Sequence, residues 1–260
     1  MQETNELLLE TCLLAGKIMM ENGSEVYRVE DTMNRIAANA GEANSISYVT
    51  ATGIFMGLRS SHYAQVENVH DRVINLEKIV AVNRLSRSFA EKQITLPQLY
   101  ASLKEINQVT PSFPLWLQVL SAGVVSSTLM IIFGGNWSDF IVTFFIGSIG
   151  FITGLWVKKA IDIRFLDMFV ASLVIGCLAI LSVRGGLAGN VDNLIIGAVM
   201  PLVPGVAITN SFRDILAGHL ISGTARGTEA IFTAAAIGVG IATVFTLFGG
   251  YHDHFDSCLF

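Results

Sequence analysis

In the first third of the chain, apolar residues recur at helical or alternating spacing with polar residues between them. Residues 5–21 put Leu8, Cys12, Ala15 and Met19 on one face, which predicts an amphipathic helix. Asn22-Gly23 supplies a stop, and Ser24 is placed to cap the next helix. That helix spans 25–39, with Val26, Val29, Met33, Ile36 and Ala37 as its buried stripe and Gly41 at its end. Segments 45–51, 53–59 and 62–67 are rich in β-branched and aromatic residues and read as strands. A long helix is expected over 71–92, with Val73, Leu76, Val80 and Asn83 in its apolar series. Thr95-Leu-Pro-Gln98 has capping-box spacing and starts a shorter helix to about Asn107. Pro111 and Pro114 close the segment. The pattern is that of a small α+β domain with its own core.

Beyond Pro114 the periodicity gives way to long apolar runs. Crossing the hydrocarbon layer of a membrane takes about 20 mostly apolar residues. Segments 115–134, 138–157, 167–183, 193–210 and 230–249 meet that need or nearly do, with no Lys, Arg, Asp or Glu in their interiors. Five buried helices of a large soluble core are the rival reading. Such a core would need amphipathic helices around it, and the chain has none left to cover five. The expected fold is therefore an α-helical polytopic membrane protein, with five transmembrane helices in 115–260 and an N-terminal cytoplasmic α+β domain in 1–114.

Charge sets the orientation. Residues 1–114 hold ten of the sixteen Lys and Arg and thirteen of the twenty-one Asp and Glu, so the two regions expect different solvents. Among the short loops, Lys158, Lys159, Arg164, Arg213 and Arg226 fall on one side and only Arg184 on the other. Positive loops favour the cytoplasm, which places the chain in the cell membrane with the N-terminus inside and the C-terminus outside. No signal peptide is expected, because Glu3, Glu6, Glu10 and Lys17 punctuate the first apolar segment. An odd number of spans suits pairing with an inverted second unit, in the same chain or another. A self-sufficient homo-oligomer is the other possibility. The net charge of −5 argues against nucleic acid as a partner. Cys12, Cys177 and Cys258 are far apart and show no metal-ligand spacing.

The stretch richest in candidate chemistry lies in and after the fourth span: MPLVPGVAITNSFRD, residues 200–214. Proline lacks an amide hydrogen and collides with the carbonyl four residues back. Pro201 and Pro204 are thus expected to free the carbonyls of Gly197 and Met200, and Gly205 loosens the backbone at the same place. Unpaired backbone groups inside lipid must face protein, water or a ligand. The restarted helix would offer free amides and a positive dipole end to a carboxylate. The freed carbonyls would suit a cation, an ammonium group or a proton-carrying water, and Thr209 and Asn210 add uncharged hydrogen-bonding groups. A kink used only for packing is the plainer reading. Arg213, Asp214 and Arg226 follow at the cytoplasmic end, as a gate or as interfacial anchors.

Other candidates are weaker. Asp139 and Asp167 flank spans and are expected to be solvated caps. His62, His70 and Asp71 fit no metal motif, and His252-Asp-His254 lacks a third ligand. Ser24, Ser60 and Ser61 have no GxSxG context. No Walker A loop appears, which disfavours an ATP-driven pump, and neither a metal nor a cofactor is implied. Gly150 and Gly154 form GxxxG, and Ala234, Gly238 and Ala242 repeat at four-residue spacing, both read as helix-packing faces.

Two blocks carry a family likeness. Residues 22–41, NGSEVYRVEDTMNRIAANAG, resemble the opening pattern of the threonine/serine exporter family at Gly23, Ser24, Arg28, Val29 and Glu30. Residues 201–230, PLVPGVAITNSFRDILAGHLISGTARGTEA, resemble its Pro-Gly, Asn-x-x-Arg-Asp, Gly, Gly-x-x-Arg pattern. The layout looks like the larger subunit of the split, two-chain type, in a family where some members export succinate. The resemblance implies a secondary exporter of a small carboxylate-bearing metabolite, driven by the proton gradient and completed by a small polytopic membrane subunit. A membrane-anchored hydrolase or sensor acting through the N-terminal domain is the alternative from another class.

Overall fold

The amphipathic periods of the N-terminal third become four helices and one sheet, and the long apolar runs become the remaining helices. The computed structural model describes residues 2–59, 63–69, 73–108, 113–161 and 163–248. Ser60, Ser61, His62, His70, Asp71, Pro111, His252, His254 and Cys258 lie outside the described residues. Compactness divides the chain into two units, Met1–Pro111 with Gly205–Glu229, and Ser112–Pro204 with Ala230–Phe260.

The first unit begins with α1 (Gln2–Glu21) and α2 (Val26–Asn39), followed by β1 (Ser45–Val49), β2 (Gly53–Leu58) and β3 (Tyr63–Asn68). α3 (Leu76–Ala90) and α4 (Leu96–Gln108) complete its N-terminal part. The strands form one antiparallel meander in the order β1-β2-β3, with Tyr48 opposite Phe55 and Phe55 opposite Val66. One sheet face sends Ile54, Met56 and Leu58 into the core, where they join the expected stripes of α1 and α2. Leu99 and Leu103 of α4 close that core.

Two local expectations fail. α3 starts at Leu76 because the Asn75 side chain accepts from Lys78 N at 3.2 Å and caps it there. Its buried face is Ile79, Val82 and Ser86, while Val73, Leu76 and Val80 are exposed. The spacing from Val73 to Val80 suits either face of a helix, and the cap decides where the helix begins. Before α4, the Gln98 side chain accepts from the Thr95 amide at 2.9 Å, the return half of the capping box.

The second unit holds α5 (Leu115–Ile132), a 3-10 turn at Trp137–Asp139, α6 (Phe140–Ala160), α7 (Leu166–Arg184) and α8 (Val191–Val199). A second 3-10 turn, Met200–Leu202, follows α8 directly. After α9 (Gly205–Leu216), α10 (Leu220–Leu247) begins in the first unit and ends in the second. α5, α6, α7 and α10 are long and apolar enough to cross a membrane, and α8 with α9 would make a fifth span if the broken pair counts as one. The chain's three tryptophans, Trp116, Trp137 and Trp156, are exposed near the ends of α5 and α6, as interfacial aromatics are. α10 starts ten residues before the apolar run at Ala230, because a helix can continue into polar sequence.

Small residues set the helix contacts of this unit. A Cβ on Gly150 would meet Ile175 at 2.5 Å and one on Gly154 would meet Ala171 at 3.6 Å, so the GxxxG of α6 packs on α7 as expected. On α10 the packed face is instead Ile237, Gly240 and Val244, with the Cβ position of Gly240 2.1 Å from Ser172 Oγ. Ala234, Gly238 and Ala242 are exposed. Four-residue spacing alone fits both faces, and Gly240 wins because it admits Ser172.

Cys12 yields a test of the first core. Its Sγ lies 3.6 Å from the Met33 carbonyl oxygen, fully buried, and burial pushes the thiol up to about 12. Since the thiolate is the nucleophile, Cys12 stays inert at neutral pH while this core is folded. In a C177S/C258S protein, a water-soluble maleimide is expected to label Cys12 only after denaturation. Rapid labelling of the folded protein, read by mass spectrometry, would contradict this packing.

Candidate functional site

Two helix corners of the first unit face each other. α1 ends on Gly23, whose φ of +94° is open to glycine, with Ser24 N bonded to Met19 O at 3.0 Å. α9 ends the same way on Gly218, φ +90°, with His219 N bonded to Asp214 O at 2.8 Å. Each corner turns the chain within a few residues, so the polar groups at the start of α2 and along α9 and α10 converge.

The corner at Gly23 takes its hydrogen bonds from far along the sequence. Asn210 Nδ2 donates to Gly23 O at 3.0 Å, and Arg226 Nη2 donates to Ser24 O at 2.9 Å. Val26 N, the first amide of α2, donates to Asp214 Oδ1 at 3.1 Å. Asp214 thus does what was expected of Ser24, whose hydroxyl donates instead to Glu25 O at 3.5 Å. A carboxylate there both accepts an orphan amide and meets the positive end of the α2 dipole. A hydroxyl would do only the first.

Charge is matched within the cluster. Asp214 Oδ2 lies 3.4 Å from Arg226 Nη1 as an ion pair, with Asp214 fully buried and Arg226 nearly so. Arg213 Nη1 pairs with Glu25 Oε1. Glu25 Oε2 also meets Arg28 Nε at 3.2 Å, and Arg28 Nε donates to the Tyr27 hydroxyl at 3.1 Å. Glu30 Oε1 accepts from Val49 N at 3.0 Å, while His219 Nε2 is 3.9 Å from Glu30 Oε2. Arg213 is half exposed, so its guanidinium can trade partners without leaving water. Arg226 cannot. α10 lies close enough for this reach because Gly223 sits against Ser211 and Ile215, where a Cβ would come within 2.9 Å of Ser211 O.

The structure therefore brings Asn210, Arg213, Asp214 and Arg226 together, and joins Arg28 and Glu30 to their margin. Gly205 and Thr209 are exposed on α9, and Thr209 Oγ1 donates to Gly205 O at 2.5 Å. Asn210 does not share that exposure, since its amide is turned to Gly23. In the second unit, the carbonyls expected to be freed by Pro201 and Pro204 are occupied. Gly197 O accepts from Met200 N, and Met200 O accepts from Val203 N at 3.2 Å. A 3-10 turn shifts each bond back one residue and recovers what proline removed. Glu25 and His219 were missed as site residues, though Glu25 stands three before Arg28 in a block already marked out. Among the described residues no group of three His, Cys, Asp or Glu is placed to hold a metal.

A sequence profile of the family described as "Putative threonine/serine exporter" matches residues 10–248. "Probable succinate transporter subunit YjjP" of Escherichia coli is 23% identical over 259 residues, covering 95% of this chain and 97% of that protein. The protein of the same name from Klebsiella aerogenes is 24% identical over 246 residues, or 92% and 93% of the two chains. "Probable threonine/serine exporter" of Mycobacterium tuberculosis is 20% identical over 241 residues, which is 90% of this chain but 45% of that one. No solved structure matches the chain.

The buried pair gives the sharpest test. Removing one partner of a buried ion pair strands the other charge and costs about 3–5 kcal/mol, whereas exposed pairs contribute about 0–1 kcal/mol. Arg226→Met is therefore expected to lower the thermal stability of the detergent-solubilised protein far more than Arg213→Met. Asp214→Asn should fall with Arg226→Met, and the double variant should be less damaging than the two effects added. Equal melting curves for the two arginine variants would refute the buried coupling.

Proposed function

The chain belongs to the threonine/serine exporter family, and we propose that it is the larger subunit of a two-chain carrier that exports a small carboxylate-bearing metabolite. It is a membrane transporter, in a family whose named members handle threonine and serine or succinate. The enzyme or sensor alternative is set aside, because the family and these relatives are named for transport. The subunit reading draws on the relative named as a transporter subunit, which this chain matches over nearly its whole length. The same span is under half of the mycobacterial exporter. A small polytopic membrane protein is the proposed partner, with the N-terminal part in the cytoplasm and the C-terminus outside.

The observation that carries the mechanism is the interrupted helix. α8 and its 3-10 turn stop at Leu202, and α9 starts afresh at Gly205. The first amides of a helix have no acceptor within it, and they point the positive end of its dipole outward. Gly205 is exposed, with nothing within 4 Å of where a Cβ would stand. A carboxylate fits that opening at the start of α9, with Thr209 one turn further on. Because the Gly197 and Met200 carbonyls are already bonded, the amide side is the binding side. Asn210 supports the corner at Gly23. Arg213, Asp214 and Arg226 form the cytoplasmic gate: substrate carboxylate competes with Glu25 for Arg213, while the Asp214–Arg226 pair keeps its place. Export is coupled to proton entry.

Gly205→Leu separates this reading from a structural one. The open space around Gly205 and its ordinary φ admit a side chain, so folding and membrane level should be unchanged. Export of threonine, serine and succinate, measured in cells expressing the chain with its partner, is expected to fall about tenfold or more for whichever substrate is carried. Wild-type export by Gly205→Leu and by Pro204→Ala, at normal membrane levels, would remove the helix break as the binding site.

A further inference from the structure

A unit with its own core is expected to keep large aliphatic side chains inside, yet the first unit sets four of them outside together. Val73, Ile74, Leu76 and Val80 are each between 59% and 65% exposed. They occupy the approach to α3 and its first turns, where the Asn75 cap fixes the backbone. Single exposed apolar residues are ordinary, but a contiguous group of this size marks a surface made to be covered. From Leu76 the exposed stripe runs through Val80 to Arg84 and Arg87 at helical spacing. Its first half is apolar and its second half is basic. Glu77 is the one acid of α3.

α9, in the same unit, says what the cover is. It is inside out, burying Asn210, Ser211 and Asp214 and exposing Phe212, Ile215 and Leu216 around Arg213. The corner that follows adds Leu220 and Ile221, both more than half exposed. A helix end with polar residues inward and apolar residues outward has hydrocarbon as its solvent, not water. It also leads directly into α10, which is long and apolar enough to cross a membrane.

The 73–80 strip is continuous with this end of α9 through the corner at Gly23. Val73 N donates to Glu21 O at 2.7 Å and Asn75 N to Asn22 O at 3.1 Å, which lays the strip along the end of α1. Ile74 Cα and Cγ1 stand 3.8 Å from the Cβ position of Gly23, and Asn210 of α9 holds the carbonyl of that same glycine. Both apolar surfaces therefore flank one corner. The sheet carries another exposed patch, Ile46, Tyr48, Phe55 and Val66, but its strands have no Lys or Arg.

We propose that residues 73–87 are an interfacial membrane anchor: the four aliphatic side chains enter the acyl boundary, and Arg84 and Arg87 meet anionic headgroups. A lipid surface accepts such a set without a matching shape, which a protein partner would have to supply. The anchor holds the corner at Gly23 at the bilayer surface beside the end of the broken span. It depends on the chain lying in a membrane and not on what the chain exports.

Ile74→Cys, Leu76→Cys and Val80→Cys, made singly in the C177S/C258S chain where Cys12 stays inert, would each carry a small fluorophore. Ile46→Cys and Val66→Cys on the exposed sheet face are the controls. The full chain would be reconstituted in phosphatidylcholine vesicles containing about one quarter phosphatidylglycerol, then quenched by nitroxide-labelled lipid or by aqueous iodide. Strip labels are expected to be quenched by the lipid at least about threefold more than sheet labels, and less by iodide. Arg84→Gln with Arg87→Gln should cut that lipid quenching about twofold or more, and leave it unchanged in pure phosphatidylcholine. Strip labels as open to iodide as the sheet labels overturn the anchor. So does protection that arises only when the second subunit is added, since the surface is then a protein interface. Lipid quenching indifferent to the arginines in both vesicles overturns their part in it.

Discussion

A helix corner leaves backbone amides and carbonyls without partners in their own helices, and the corner at Gly23 is closed to water. Ser24 is 2% exposed, and the Asp214 and Arg226 that reach it are 0% and 5% exposed. The backbone groups there have to be satisfied by protein. Asn210, Asp214 and Arg226 do that for Gly23 O, Val26 N and Ser24 O. The first unit is therefore incomplete without Gly205–Glu229, which explains why a polar N-terminal segment and a stretch some 180 residues later form one compact body. Arginine suits the task better than lysine. Its planar fork holds the Ser24 carbonyl with one nitrogen and faces Asp214 with the other.

The second unit meets the same demand by other means. Its helices satisfy their own backbones, so contact between them depends on how near two backbones can come. Gly147 against Ser126, Gly150 against Ile175 and Gly197 against Met130 are all positions where a Cβ would stand within 2.5 Å of a neighbour. Serine and threonine hydroxyls turn back to carbonyls one helical turn earlier, as Thr128 does to Val124 O at 2.7 Å. Polarity is thereby absorbed locally, which makes the buried, unpartnered oxygens of Asp139 and Ser126 exceptional among the described residues of that unit.

Much of the fold was legible because burial and period coincide. The stripes of α1 and α2 are fully buried at the residues the pattern marks, and all three strands lie where β-branched residues cluster. Legibility failed where two faces of a helix are equally apolar, at Val73–Val80 and at Ala234–Ala242, since composition cannot choose between them. It also failed for Ser24 and Asp139, for a different reason. Whether a short polar residue caps its own helix depends on what arrives from elsewhere, and the arrival of Asp214 at Val26 is invisible in local sequence. The two blocks that carry the family likeness were recognised separately. Nothing in either shows that they meet.

Those two blocks also bear on why one layout can serve an amino acid and a dicarboxylate. The group the substrates share is a carboxylate, and a helix N-terminus recognises it without reading the rest of the molecule. Telling an ammonium from a second carboxylate needs a group of definite charge or a set of free carbonyls. On the proposed reading this chain spends its cluster charges on Glu25–Arg213 and Asp214–Arg226, and its proline-released carbonyls on 3-10 bonds. What remains open at Gly205 and Thr209 is neutral. Discrimination between substrate classes then falls to residues outside this set, and a second subunit is the natural place to vary them while the anion-binding half stays the same.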